Sequence, residues 1–348
     1  MSDDVSDFYD RHPISEAQVL AALRRRRGAL AATPVTADDL FDFDQDHYGG
    51  LGAVDTLARL AGVGGRTRVL DLCAGLGGPA RFLAARRGCP VVALELNAGR
   101  AAGAARLTAL VRLGWRVRVV RGDATALPFA PARFDACLSQ EALLHVADKA
   151  AVLREARRVL APGGRLAFTD WVARPALGDG ERRRLHGWMA ATTLQTLDGY
   201  RALLGAAGFG SVTAEDLADE WRAVLRTRLE MFRAMRADTV ARLGEARYQE
   251  YDRLYAFFVG LIEAGTRKLL ADIAGAGDAI GATGLRAAEQ AAMALDRLYS
   301  TYTKAPGKKA DAGANKALDA MFGTLEDPKK FDAKAFAASA KAFTGALK

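Results

Sequence analysis

Three carboxylates stand where apolar runs end, at spacings that suit the binding of a small polar ligand. Asp71 stands next to last in "RVLDL", Glu95 closes "PVVALE", and Asp123 follows "RVRVVRG". After the first run comes "CAGLGGPARFLA" (73–84), a small-residue turn leading into a helical pattern. Gly75 and Gly77 let the backbone turn tightly and approach a ligand closely. A helix opening near Gly78–Pro79 offers N–H groups that have no partner inside the helix. The order strand, glycine loop, helix is the setting in which such a loop holds a nucleotide-like molecule. Alone it fits NAD, FAD, S-adenosylmethionine or a plain structural turn.

The carboxylates narrow the choice. A dinucleotide fold can dispense with an acid at Asp71, whereas a cationic amino-acid ligand gains from one that holds its ammonium. Glu95, about twenty residues on, suits two hydrogen bonds from ribose hydroxyls. Asp123 and Ala124 are placed to meet an adenine edge, and Leu127–Pro128–Phe129 to wall it.

These residues need a scaffold that brings strand ends together. Between Arg66 and Thr213 strands and helices alternate, with "TRVLDL", "PVVALEL", "RVRVVRG", "FDACLSQ" and "GRLAFTDW" as the strands. Alternation with near-continuous apolar strands predicts an α/β fold, a doubly wound, mostly parallel sheet covered on both faces. Residues 1–65 read as an N-terminal helical cap, with capping-box starts at Ser15–Gln18 and Thr36–Asp39. The run Arg24–Arg27 ends a helix, where cations complement the helix dipole. Residues 66–266 form the ligand-binding domain, with a helical insertion over 218–264 rich in aromatics.

The chain has 348 residues, half of them hydrophobic, and a net charge of +8. The basic residues are spread out, so the charge alone is weak evidence for nucleic acid, which is an unlikely partner. Lys149 is the only lysine before Lys268, after which lysine takes over from arginine. This shift suggests that residues 267–348 are an all-α helical C-terminal extension of separate origin. Cys73, Cys89 and Cys137 lack CxxC spacing, and His12, His47, His145 and His186 lack HxxxH spacing. No metal site or disulfide framework is expected, and a reducing, cytoplasmic location is. The acidic start "MSDDVSDFYD" does not read as a secretory signal.

Taken in order, "VLDLCAGLGG", "LEL", "GDATALPF", "FDACLSQEALLHV" and "LAPGGRLAFTDW" resemble the motifs of class I S-adenosylmethionine-dependent methyltransferases. The resemblance spans roughly Asp42–Glu263. It is closest to the small-molecule branch with sarcosine/dimethylglycine, phosphoethanolamine and ubiquinone-type enzymes. It implies a Rossmann-like methyltransferase core, S-adenosylmethionine as cofactor and S-adenosylhomocysteine as product. Asp71, Cys73, Gly75 and Gly77 would surround the methionine end. Glu95 and Leu96 would hold the ribose, Asp123 and Ala124 the adenine, and Gln140 would lie beside the sulfonium. "DQDHYGG" (Asp44–Gly50) resembles the segment that covers cofactor and substrate. Cys73 stands where the family usually has glycine, so a shifted loop is expected rather than lost binding. A seventh, antiparallel strand expected after the helical insertion is not legible.

Methyl transfer from a sulfonium is an in-line displacement, and the enzyme mainly aligns donor and acceptor and excludes water. A base is needed only where the acceptor carries a proton that must leave. His145 is the candidate base, its alternative a packing role at the next helix. Tyr48 and Gln140 complete the catalytic candidates, Tyr48 more as a cofactor contact than a base. His47 and Tyr48 precede a Gly-Gly pair suited to hinge a lid. The substrate pocket is assigned to His47, Tyr48, Glu141, Asp170 and Trp171. Glu141 would bind an amine or simply face solvent.

The expected activity is methyl transfer to N, O or C of a small-molecule acceptor. The alternative is a cofactor-binding interaction protein. Its basic tail helix, with Lys334, Lys341 and Lys348, would dock a partner protein or a membrane. The aromatic insertion also suits a homodimer surface.

Overall fold

The structure, a computed structural model, describes residues 14–28, 33–45, 47, 49–173, 177–234 and 236–260, with a few isolated positions beyond them. The tail helices over 267–348, the docking face placed there and the question of a last strand lie outside the described residues. The chain divides into two compact units, residues 1–215 and 216–348.

The first unit opens with α1 (Glu16–Arg27), α2 (Ala37–Leu40) and α3 (Gly50–Leu60). It continues as β1 (Val69–Leu72), α4 (Gly78–Arg86), β2 (Val91–Glu95), α5 (Ala98–Leu110) and β3 (Val117–Arg121). β4 (Phe134–Gln140), α6 (Lys149–Val159), β5 (Leu160–Thr169), α7 (Asp179–Met189) and α8 (Leu197–Ala206) follow. The five strands lie in the order β3-β2-β1-β4-β5, all parallel. Strand order reverses between β1 and β4, and such switch points open a crevice at the strands' carboxyl ends.

Apolar residues on both sides of each strand explain why the sheet sits between two layers. Side chains alternate in direction along a strand. Val69, Val91, Ala93, Ala136 and Leu138 pack with α1, α2, α3 and α4. Leu70, Leu72, Leu94 and Cys137 pack with α6 and α8 on the other face. A fully buried leucine such as Leu70 or Leu83 contributes about 1.5–3 kcal/mol. By the same alternation and the register Asp71↔Leu138 and Asp71↔Ala93, Asp71, Glu95 and Gln140 share the α1–α4 face.

The arginines of α1 behave as expected. Arg24–Arg27 fill its last turn and Gly28 ends it with a φ of 73°. Arg26 pairs with Asp42 and Arg27 with Asp39. Of the two expected capping boxes, the one at Thr36 forms, with Asp39 accepting from the Thr36 N–H at 2.8 Å. The one at Ser15 does not. Ser15 has extended N-cap backbone but no side-chain capping bond, and the adjacent Glu16 turns to Arg106 across the fold.

The second unit contains α9 (Ala218–Ala234), α10 (Arg236–Leu243) and helical residues 245–260. Its aromatics make a core of their own. Phe232 stacks on Tyr248 with centroids 5.0 Å apart and also touches Tyr251 and Tyr255. Arg233–Asp252 and Arg236–Glu245 tie the helices together.

Candidate active site

The glycine loop is built by three residues with left-handed backbone. Cys73 has φ 58°, Gly75 φ 56° and Gly77 φ 76°. A side chain beyond hydrogen at such φ is costly, so Cys73 occupies a position where glycine would be relaxed. The loop's shape is secured by Glu95. Its Oε2 accepts the Gly75 N–H and its Oε1 the Asn97 N–H, both at 2.8 Å. Both carboxylate oxygens thus already hold backbone, and the Leu96 N–H adds to them. Leu96 follows, half-buried, its carbonyl facing Arg121 Nε at 3.4 Å.

Asp71 is buried beside this loop, and its Oδ2 has no hydrogen-bond partner. Burial, then the charge of Glu95, pushes its carboxyl up to about 7, against the Ala80 N–H and Arg81. A buried, partnerless carboxylate oxygen fits a cationic group. The same surroundings, burial followed by Glu95, Asp71, Asp123 and Asp170, push the Cys73 thiol well above its ordinary value.

At the loop's far side Asp123 Oδ1 accepts the Thr125 N–H and hydroxyl, both at 2.8 Å, and Ala124 is buried. Glu155 and Arg158 of α6 hold this turn. Glu155 accepts the Leu127 N–H, and Arg158 donates to the carbonyls of Leu127 and Phe129.

β4 ends in Gln140, whose Oε1 is buried without a partner. Its Nε2 lies 3.4 Å from His47 Nδ1, and His47 Nε2 lies 3.0 Å from Gln45 Oε1. His47 and Gln140, expected separately, are thus brought together. Thr169 is the register partner of Gln140, and its Oγ1 is also buried and partnerless. Tyr48 lies outside the described residues.

His145 ends a short 3₁₀ turn, Leu143–His145. Its Nδ1 sits 3.1 Å from the Ala190 carbonyl and therefore carries the proton, which makes Nε2 the basic nitrogen. The Tyr9 ring meets it edge-on at 5.2 Å. Glu141, half-buried, has φ 50° and donates its N–H to Thr169 O.

Asp170, expected in the substrate pocket, has a hydrogen-bond partner on each carboxylate oxygen. Its Oδ1 accepts the Leu144 N–H at 3.0 Å and its Oδ2 the Tyr200 hydroxyl. Burial pushes its carboxyl up to about 6 despite Tyr200, Lys149 and the N–H groups of Leu144 and Trp171. Trp171 is half-buried just after it. Lys149 closes the corner. Buried, it donates to Val146 O (2.8 Å), Thr193 O (2.7 Å) and Thr193 Oγ1 (2.6 Å).

Sequence reasoning missed Thr169, Tyr200 and Arg81. Arg81, on α4, is fully buried and paired with Asp44 at 2.8 Å. The only sequence sign of it is a cation inside the otherwise small and apolar "GPARFLA".

The sheet and the polar strand ends define a Rossmann-like site for a nucleotide-type ligand, and comparison with known proteins gives the family. Residues 70–168 match the model of a methyltransferase domain. The chain is 30% identical over 199 residues to the 27-O-demethylrifamycin SV methyltransferase of Amycolatopsis mediterranei, covering 56% of this chain and 73% of that protein. It is 34% identical over 148 residues to a sarcosine/dimethylglycine N-methyltransferase of Halorhodospira halochloris, covering 42% and 53%. Among solved structures, phosphoethanolamine N-methyltransferase 2 of Haemonchus contortus superposes with a TM-score of 0.62 at 20% identity, over 74% of this chain and 57% of that one. The chain spans about half the length, or less, of the first curated relatives it matches. It belongs to the class I S-adenosylmethionine-dependent methyltransferases.

Proposed function

We propose that this protein transfers a methyl group from S-adenosylmethionine to N, O or C of a small-molecule acceptor. The observation that carries the reading is Asp71 Oδ2, buried and partnerless beside the left-handed glycine loop. It fits the cofactor's ammonium, and Glu95, Asp123 and Ala124 follow along the strand ends toward ribose and adenine. When bound, the cofactor supplies an activated methyl group, so the protein's own task is alignment and exclusion of water. Gln140 Oε1 faces the same side of the sheet as Asp71 and would orient the reacting groups. His145, with its proton fixed on Nδ1 by Ala190, would take a proton at Nε2 from an acceptor that carries one. Asp170, Tyr200 and Lys149 hold the turn that carries His145. His47, Tyr48, Glu141 and Trp171 would line the acceptor side.

The relatives act on acceptors as different as an amino acid and a rifamycin, so the acceptor class is left to screening with amines, phenols and carboxylates. Among the described residues no helix is long and apolar enough to cross a membrane. Calorimetric titration with S-adenosylmethionine and S-adenosylhomocysteine tests the reading. One-to-one binding of both is expected. A folded sample that binds neither would sink it.

A further inference from the structure

We infer that Arg81 is a positioning residue. It straps the segment Asp44–His47 across the glycine loop and so delivers His47 to Gln140. The inference deepens the methyltransferase reading and rests on it only for what lies beneath the strap.

The strap is anchored at a fully buried point. Arg81 Nε and Nη2 reach Asp44 Oδ2 at 3.2 and 2.8 Å. Its Nη1 reaches Ala104 O at 3.3 Å and Thr108 Oγ1 at 3.2 Å. One guidinium group therefore binds the strap, α4 and α5 together, in the fork geometry that a lysine does not reproduce. Neither partner is exposed to water, so neither the ion pair nor its hydrogen bonds are screened by solvent.

From the anchor a line of polar contacts runs to the strand ends. Asp44 Oδ1 accepts from Gln45 Nε2 at 2.7 Å, and Gln45 Oε1 faces His47 Nε2 at 3.0 Å. Gln140 Nε2 then faces His47 Nδ1. An amide N–H donates, so His47 Nδ1 accepts and its proton resides on Nε2, where it meets Gln45. The contacts agree on one neutral tautomer, and His47 is held in place from both sides.

The backbone supports the same reading. A Cβ on Gly78 would lie 2.2 Å from the Asp44 carbonyl oxygen and 2.7 Å from Gln45 Nε2. The strap passes so close to the start of α4 that only glycine fits beneath it. Gly49 and Gly50 open α3, where a Cβ on Gly49 would lie 2.4 Å from Ala53 Cβ and Gly50 has φ 55°.

The test is hydrogen exchange by mass spectrometry on the full chain, with Arg81→Lys and Gly78→Ala, with and without S-adenosylhomocysteine. Arg81→Lys keeps the cation and loses the fork. Gly78→Ala alters no charge and pushes the strap off by its methyl group. In both, peptides over 40–50 should exchange at least about tenfold faster while β1 and β4 stay protected. S-adenosylhomocysteine should dissociate about tenfold faster, with KM rising more than kcat falls. Strap exchange as in the parent, or faster exchange spread evenly over the sheet, overturns the inference. If Arg81→Lys does not fold, Gly78→Ala decides. If the parent protein binds no S-adenosylhomocysteine, the methyltransferase reading fails, and strap exchange still decides the anchor.

Discussion

Asp71 shows how one side chain couples binding to pH. Its carboxyl is raised from 3.8 to about 7 in the folded, ligand-free protein. Such a group gives its full contribution to stability below the ordinary carboxylate range and loses it as pH rises through about 7. A cationic ligand reverses the loss by pairing with the ionised form. The thermal shift produced by S-adenosylmethionine should therefore be larger at pH 8 than at pH 6, and Asp71→Asn should flatten the difference. An equal shift at both pH values in the parent protein would remove Asp71 from the ammonium site. Cys73 makes a second test. Its φ of 58° costs about 1–2 kcal/mol in left-handed strain, offset in part by glycine's greater freedom when unfolded. Cys73→Gly relieves that strain but loses the side chain's packing against the core, worth about 0.8 kcal/mol per methylene, so stability should change by less than about 1 kcal/mol, read as a Tm shift of a few degrees at most. Asp71 and Glu95 were legible because each ends an apolar run. Arg81 was not, since nothing in the local pattern links it to Asp44, 37 residues earlier.

The elements were the most legible part, and the corner between β4 and α6 the least. All five strands are readable as short apolar runs because both faces of the sheet are covered. The corner is assembled from distant pieces. Asp170 reaches Tyr200 on α8, and Lys149 reaches Thr193. Asp170, read as a pocket residue from its place at the end of β5, has oxygens that also hold the turn carrying His145. Lys149 stood out only as a compositional oddity. Removing its ammonium takes this donor from the part-buried carbonyls of Val146 and Thr193 and leaves a buried side chain without its polar end. Lys149→Met should therefore destabilise the protein by about 2–4 kcal/mol, as measured by urea unfolding. A loss under about 0.5 kcal/mol would show that water replaces the donor at no cost.

Two different boundaries emerge for the whole molecule. Cation usage changes near residue 267, whereas packing divides after 215. Composition records lineage and contacts record cohesion, so the two need not coincide. The parallel sheet, both of its apolar layers and every candidate cofactor residue precede 216. A fragment of residues 1–215 is thus expected to fold and to bind S-adenosylhomocysteine, checked by circular dichroism and titration. A fragment that folds but does not bind would overturn that expectation. The cysteines have a practical consequence at this scale. Cys73, Cys89 and Cys137 are all held above the ordinary thiol range, first by burial, and the thiolate is the form that reacts. Alkylating reagents at neutral pH should pass the buried Cys89 and Cys137 by, whereas the half-buried Cys73 is protected by its raised thiol alone. A single cysteine introduced on the outside, for instance at the exposed Arg25, would take a spectroscopic label ahead of the native thiols, with Cys89 and Cys137 left in place.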